Sequence, residues 1–212
     1  MFFKRSLLTF CAALFITILT PYSCLGAKPT TVTYQGVFSY APFEYSQDGS
    51  LQGFGPELSR LIFADGRYHV TYSADTLEKA YQRVVQGKID SCGLRAIIPE
   101  RQGEVLFSTP VLETYTAFYV RKGTPSTYLN RLDRIKLGAQ RLDYTSALLQ
   151  RELKIKPYAL YSSQEEALAA LSNGEIDAFF GNQEATNYYI IRNQLESSIK
   201  TDKNNLFKVQ FA

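Results

Sequence analysis

Residues 32–38 alternate loosely between apolar and polar side chains and predict a strand, which leads into an extended loop at Tyr40-Ala41-Pro42-Phe43. Ser46-Gln47-Asp48-Gly49-Ser50 is a turn by composition. Over 53–64, Leu58, Leu61 and Ile62 recur at helical spacing, and Pro56 falls in the first turn, where proline is tolerated. Asp65-Gly66 closes that helix, and 68–72 predicts a short strand. Thr76 caps a second helix with the apolar stripe Leu77, Ala80, Tyr81, Val84 and Val85. A third strand follows at 89–92 and breaks at Gly93.

A β-rich run at 115–120 has the character of a crossing segment, and the alternation then repeats. Strands are expected at 135–139, 158–161 and 176–180, and helices at 145–153 and 183–193. Between them Ser163 with Glu166 three residues on forms a capping box for a helix buried through Ala167, Leu168 and Leu171. A last apolar alternation occupies 206–211. Short strands alternating with helices predict an α/β fold with largely parallel pairing. The two halves echo each other: Gly87-Lys88-Ile89-Asp90 and Gly174-Glu175-Ile176-Asp177 each follow a helix end and open a strand.

The first residues stand apart from this pattern. Lys4-Arg5 precede an apolar stretch over 7–19, Pro21 breaks it, and Cys24 and Gly26 are small residues at the positions of a cleavage site. The expectation is a signal peptide, 1–26, cleaved after Gly26 on export. The chain of 212 residues carries a net charge of +3, two units of which belong to Lys4 and Arg5. The near-neutral remainder has no basic cluster, so no nucleic-acid partner is expected. Cys92 would be the one cysteine left after cleavage and His69 is the one histidine, so neither a disulfide, a metal site nor a Ser-His-Asp triad is expected. No cofactor is implied.

The chemistry concentrates in Gly87 to Arg101, where a strand breaks at glycine and delivers Arg95 and then Arg101. Guanidinium forks match carboxylates, so these are either an anion-holding pair or two solvated arginines beside a turn.

With these residues placed, the chain resembles the family 3 extracellular solute-binding proteins, the periplasmic receptors of polar amino acid ABC transporters. The resemblance rests on an ordered series of short motifs. They are Tyr40-Ala41-Pro42-Phe43-Glu44-Tyr45, Gly53-Phe54-Gly55-Pro56-Glu57-Leu58, Gly87-Lys88-Ile89-Asp90, Pro99-Glu100-Arg101, Phe107-Ser108-Thr109-Pro110, Tyr161-Ser162-Ser163 running to Leu171, and Gly174-Glu175-Ile176-Asp177-Ala178. It implies a periplasmic-binding-protein-like flytrap of type II, an α/β fold of two lobes with a hinge. Lobe 1 would be 27–113, lobe 2 would be 114–205, and 206–212 would be a return hinge strand, after which the family continues for a few tens of residues.

The resemblance also implies ligand-binding residues. Arg101 matches the arginine that grips a ligand's α-carboxylate, Tyr40 the aromatic that packs on its side chain, and Arg141 to Thr145 the helix-start loop of lobe 2. Arg95 is an added arginine beside the site. Asp143 stands where small hydroxyl residues are common, and Leu142 where a glycine is usual. The aspartate that holds the α-ammonium falls on Asn182, which cannot neutralise a cation; Asp143 or Glu184 would have to compensate. The implied function is reception of a small amino-acid-like or carboxylate solute, with an ABC transporter permease or a sensor in the inner membrane as partner. The alternatives are a ligand-sensing input domain of a signalling protein and, on the same scaffold, a cyclohexadienyl-dehydratase-like enzyme.

Overall fold

The computed structural model describes residues 30–203 and 206–212. The expected leader, 1–26, lies outside them. Strand β1 (Thr30–Val37) pairs in parallel with β5 (Tyr68–Asp75). Between them β2 (Ser39–Tyr40), β3 (Glu44–Gln47) and β4 (Ser50–Gln52) make an antiparallel meander, followed by helix α1 (Phe54–Ile62). Helix α2 (Leu77–Val85) is capped as its sequence predicts, with the Lys79 N–H donating to Thr76 Oγ1 at 3.3 Å. A single turn of helix, α3 (Pro99–Gln102), carries Arg101.

The second sheet is built on the long strand β6 (Leu112–Arg121). It is joined by β7 (Leu137–Gln140), β8 (Ala159–Tyr161), β9 (Ala178–Asn182) and β10 (Ile199–Lys203) in the order β10–β6–β9–β7–β8. A 3₁₀ segment (Ser126–Arg134) and helices α4 (Tyr144–Arg151), α5 (Gln164–Ser172) and α6 (Gln183–Arg192) connect its strands. Only β7 runs parallel to its neighbours β8 and β9; β6 is antiparallel to β9, to β10 and to β11 (Lys208–Phe211). The expectation of largely parallel pairing is thus corrected to a mixed sheet, because hydrophobic periodicity locates strands and carries no direction.

Residues alternate across β6 and β9 as strand geometry requires. Phe118, Val120 and Phe180 belong to one apolar cluster, and Ala117, Tyr119 and Phe179 to the other. Both faces of the sheet are therefore buried, one under α4 and the other under α5 and α6.

The strand expected at 89–92 is reduced to one bridge, Tyr34 with Ser91. Asp90 takes the Thr33 N–H on its own side chain at 2.8 Å, and Gly93 turns the chain away at φ +70. The echo between the halves has the same physical content twice. Gly87 and Gly174 both adopt the left-handed conformation past a helix end. Asp90 and Asp177 then each accept the backbone N–H of the neighbouring segment, Thr33 and Lys136, at 2.8 Å. The capping box at Ser163 is half formed: Ser163 accepts from the Glu166 N–H, but the Glu166 carboxylate bonds Ser162.

Strand β11 stitches the two parts together. It pairs with β6 on one side, and on the other the Ile97 N–H donates to Gln210 O while Arg95 and Ala212 exchange both backbone bonds. Phe211 lies between Phe43 and Tyr144, with ring centroids 5.5 and 5.6 Å away, and joins the apolar cores of both parts.

Candidate functional site

Three strand or helix ends deliver polar side chains to one buried place. Tyr40 comes from β2, Arg95 and Arg101 from the segment entering and forming α3, and Asp143, Tyr144 and Thr145 from the start of α4. All six are buried. Tyr40 Oη has no hydrogen-bond partner among the described residues, nor do Nε and Nη2 of Arg95.

Arg101 reaches across from α3 and donates from Nη2 to Leu142 O at 2.9 Å and from Nη1 to Ala96 O at 3.4 Å. Its guanidinium also lies over the Tyr81 ring, 5.3 Å from the centroid. Leu142, which occupies the position of an expected glycine, has φ +55. A branched residue held in the left-handed region costs about 1–3 kcal/mol and persists only where its surroundings enforce it. Here that conformation coincides with the carbonyl that accepts from Arg101.

Asp143 is the N-cap of α4: Oδ1 accepts the Tyr144 N–H at 2.8 Å and Oδ2 accepts from Thr145 Oγ1 at 3.0 Å. Burial pushes its carboxyl from 3.8 up to about 6, while Arg101, the Thr145 hydroxyl, the Tyr144 N–H and Arg95 pull the other way. The folded chain therefore binds this proton more tightly than the unfolded one. The associated stability is present below about pH 4 and is lost as pH rises through 6, a change of about 3 kcal/mol. Asp143→Asn keeps an acceptor for the Tyr144 N–H and has no charge to bury. We expect it to melt above the parent at pH 7 and level with it near pH 4. A difference in melting temperature that does not vary over pH 4–7 would contradict the assignment.

Asn182, at the end of β9, is fully buried and committed to the fold. Its Oδ1 caps α6 by accepting the Ala185 N–H at 2.8 Å, and Nδ2 donates to Thr114 Oγ1 at 2.6 Å and Tyr144 Oη at 3.0 Å. Glu184 is bonded by the Thr114 hydroxyl, so of the two acids expected to compensate for Asn182 only Asp143 belongs to the cluster. Arg141 does not join it. Its side chain is exposed, its Nη2 lies 3.5 Å from Leu160 O, and its N–H donates to Tyr161 O.

Arg95 is brought in, but as half of an ion pair. Glu44, fully buried on β3, accepts Arg95 Nη1 at 3.0 Å, Tyr34 Oη at 2.7 Å, the Leu94 N–H at 2.7 Å and the Val37 N–H at 3.3 Å. Sequence reasoning missed Glu44 as a partner. The signal was its place in Tyr40-Ala41-Pro42-Phe43-Glu44-Tyr45, a carboxylate set among apolar residues.

Contacts on both flanks hold the cluster shut. Ser39 Oγ bonds Glu165 and Tyr189 Oη at 3.0 Å each, and the Ala41 N–H donates to Tyr189 Oη. On the opposite flank Arg151 Nη1 lies 2.7 Å from both Glu100 oxygens. A surface groove of about 560 Å³ between α3, α4 and β11 contains none of the cluster residues.

The sequence model of bacterial extracellular solute-binding proteins, family 3, matches residues 35–142, a span that includes the meander, α3 and Arg101. The chain belongs to that family. It is 28% identical over 146 residues to an arginine-binding periplasmic protein of Mannheimia haemolytica, covering 68% of this chain and 59% of that protein. The chain thus spans less than two thirds of that relative's length. A putative ABC transporter arginine-binding protein 2 of Escherichia coli K12 is 24% identical over 172 residues, covering 79% of this chain and 70% of the relative. Among solved structures, a histidine kinase sensor domain similar to periplasmic binding proteins superposes with TM-score 0.81 at 20% identity, covering 87% of this chain and 82% of the other. A histidine-bound ABC uptake substrate-binding protein of Streptococcus pneumoniae gives 0.75 at 22%, covering 86% and 78%. The family-3 fold is thus the periplasmic-binding-protein-like flytrap that the sequence motifs imply.

Proposed function

We propose that the chain is a periplasmic solute receptor for a small amino-acid-like molecule and delivers it to an ABC transporter in the inner membrane. Residues 27–113 form one lobe, 114–205 the other, and 206–212 the strand that returns through the hinge. The observation that carries this is the buried polar cluster itself. Tyr40 and Arg101 come from the first lobe and Asp143 to Thr145 from the second, and the buried, unpartnered Tyr40 hydroxyl supports a polar occupant. A solute touching both sides stabilises the shut arrangement, and a transporter that reads only this arrangement responds to the loaded receptor. The names of the arginine-binding relatives support a basic amino acid as the first candidate to test.

The test is a thermal melt with a panel of amino acids and small carboxylates. A true ligand at a hundred times its Kd adds about 2.7 kcal/mol and raises the melting temperature accordingly. A cooperative melt unmoved by every amino acid would remove the solute-receptor assignment.

A further inference from the structure

We propose that Cys92 is a site of reversible oxidation by hydrogen peroxide, and that the free N–H groups of Arg95 hold the oxygen of its sulfenic acid. The proposal is independent of the receptor function, because it concerns a cavity that contains none of Tyr40, Arg101 and Asp143.

The thiol and the guanidinium meet because Gly93 turns the chain between them at φ +70. Cys92 and Arg95, three residues apart, then line one cavity of about 150 Å3. Ser91, Leu106, Phe107 and Ser108 are among its walls, and Leu106 is fully exposed, so this side faces solvent. Cys92 is a free thiol at 7% exposure. Arg95 is more deeply buried and gives Nη1 to Glu44 and to Leu94 O. Its Nε and Nη2 have no partner among the described residues. Burial works against the Arg95 charge, and Cys92, ahead of Glu44, supports it, which sets the sulfur beside the guanidinium.

Buried N–H donors without an acceptor cost free energy until one reaches them. A thiol sulfur is a weak acceptor, whereas a sulfenic acid carries an oxygen one bond further out. Glu44 already balances the Arg95 charge, so the guest that fits is a neutral oxygen acceptor rather than an anion. A neighbouring guanidinium also favours the thiolate, the form that attacks peroxide. In the step itself Cys92 Sγ attacks one peroxide oxygen, and the S–O bond forms as the O–O bond breaks. Hydroxide leaves and takes up the thiol proton as water. The sulfur is oxidised by two electrons and the peroxide reduced by two. Two molecules of a small thiol reverse the change, leaving as their disulfide with release of water. The size of the cavity sets the class of oxidant: it admits a peroxide and excludes an aromatic disulfide.

The experiment compares the full chain, reduced beforehand, in its native and urea-unfolded states with two probes. These are hydrogen peroxide and the bulky aromatic disulfide dithiobis-nitrobenzoate. After peroxide is removed the chain is unfolded in dimedone, and peptide mapping separates the Cys92 adduct from those of Cys11 and Cys24. Folding is expected to speed peroxide oxidation of Cys92 about tenfold and to slow its reaction with the aromatic disulfide about a hundredfold. Oxidation raises the melting temperature of the parent chain, mercaptoethanol reverses the rise, and Cys92→Ser shows none. Peroxide oxidation of Cys92 that is no faster in the native than in the unfolded chain would make it a sealed core thiol and overturn the proposal. Equal reaction of the aromatic disulfide with both states would overturn the fitted cavity. A melting temperature lowered by oxidation, or raised equally in Cys92→Ser, would overturn the role given to Arg95. The rates are read on the parent chain, so they decide the matter even where Cys92→Ser fails to fold.

Discussion

Replacing Glu44 by alanine is expected to destabilise the chain by about 3–5 kcal/mol, the range for removing one partner of a buried ion pair. Both side chains of the pair are inaccessible, with Glu44 at 0% and Arg95 at 4% exposure. The loss is not confined to Coulomb attraction. The Arg95 guanidinium would keep its charge in a dry environment with Nε and Nη2 already without partners. Tyr34 Oη and the Leu94 N–H would also lose their acceptor. Glu44→Gln restores the shape without the charge and should recover part of the loss. Urea unfolding measures both variants, and a change below about 1 kcal/mol for Glu44→Ala would show that the pair is hydrated in solution.

Arg101→Ala is the second large effect, and it falls on binding. Loss of a buried, hydrogen-bonded charge partner typically costs about 2–5 kcal/mol, between roughly thirtyfold and a few thousandfold in Kd. The fold should survive better than in Glu44→Ala. Arg101 bonds only two carbonyls, and that of Leu142 belongs to a residue 48% exposed, where water can replace the guanidinium. Two readouts separate binding from folding. Calorimetry with the ligand found in the melt panel should show the loss, whereas the circular dichroism spectrum should be preserved. A second effect follows from the same charge. Without Arg101 the strongest pull against the raised Asp143 carboxyl is gone, so that carboxyl should titrate higher still. A variant with unchanged affinity would show that the ligand does not contact Arg101.

The two variants also separate the roles of two arginines that looked alike in the sequence. Arg95 and Arg101 lie in one segment and were both candidates for an anion. The structure gives Arg95 an internal carboxylate and leaves Arg101 with neutral acceptors only. An arginine already neutralised by the fold offers little to a ligand, and one resting on carbonyls retains its charge for it.

The pattern of apolar positions was enough to place α1, α2, α4, α5, α6 and most strands, because helical and strand periods leave distinct marks in residues that must face a core. The ordered motifs were enough for the family, and Thr76, Ser163 and the two Gly-x-Ile-Asp repeats are local signals whose hydrogen bonds form within or beside their own segments. Strand direction, the reduction of 89–92 to a bridge, and the short meander β2–β4 were decided by pairing with distant residues, which no local period records. The same division runs through the site. Arg101 and the helix start at Asp143 were legible as residue types in position. That Asn182 is saturated by Ala185 within its own cap and by the distant Thr114 and Tyr144, that Arg141 faces outward, and that Asp143 is buried beside Arg101 depend on the folded arrangement. Whether a side chain is free to act is set by what surrounds it in three dimensions, because hydrogen bonding and burial, rather than residue type, determine how its charge is balanced.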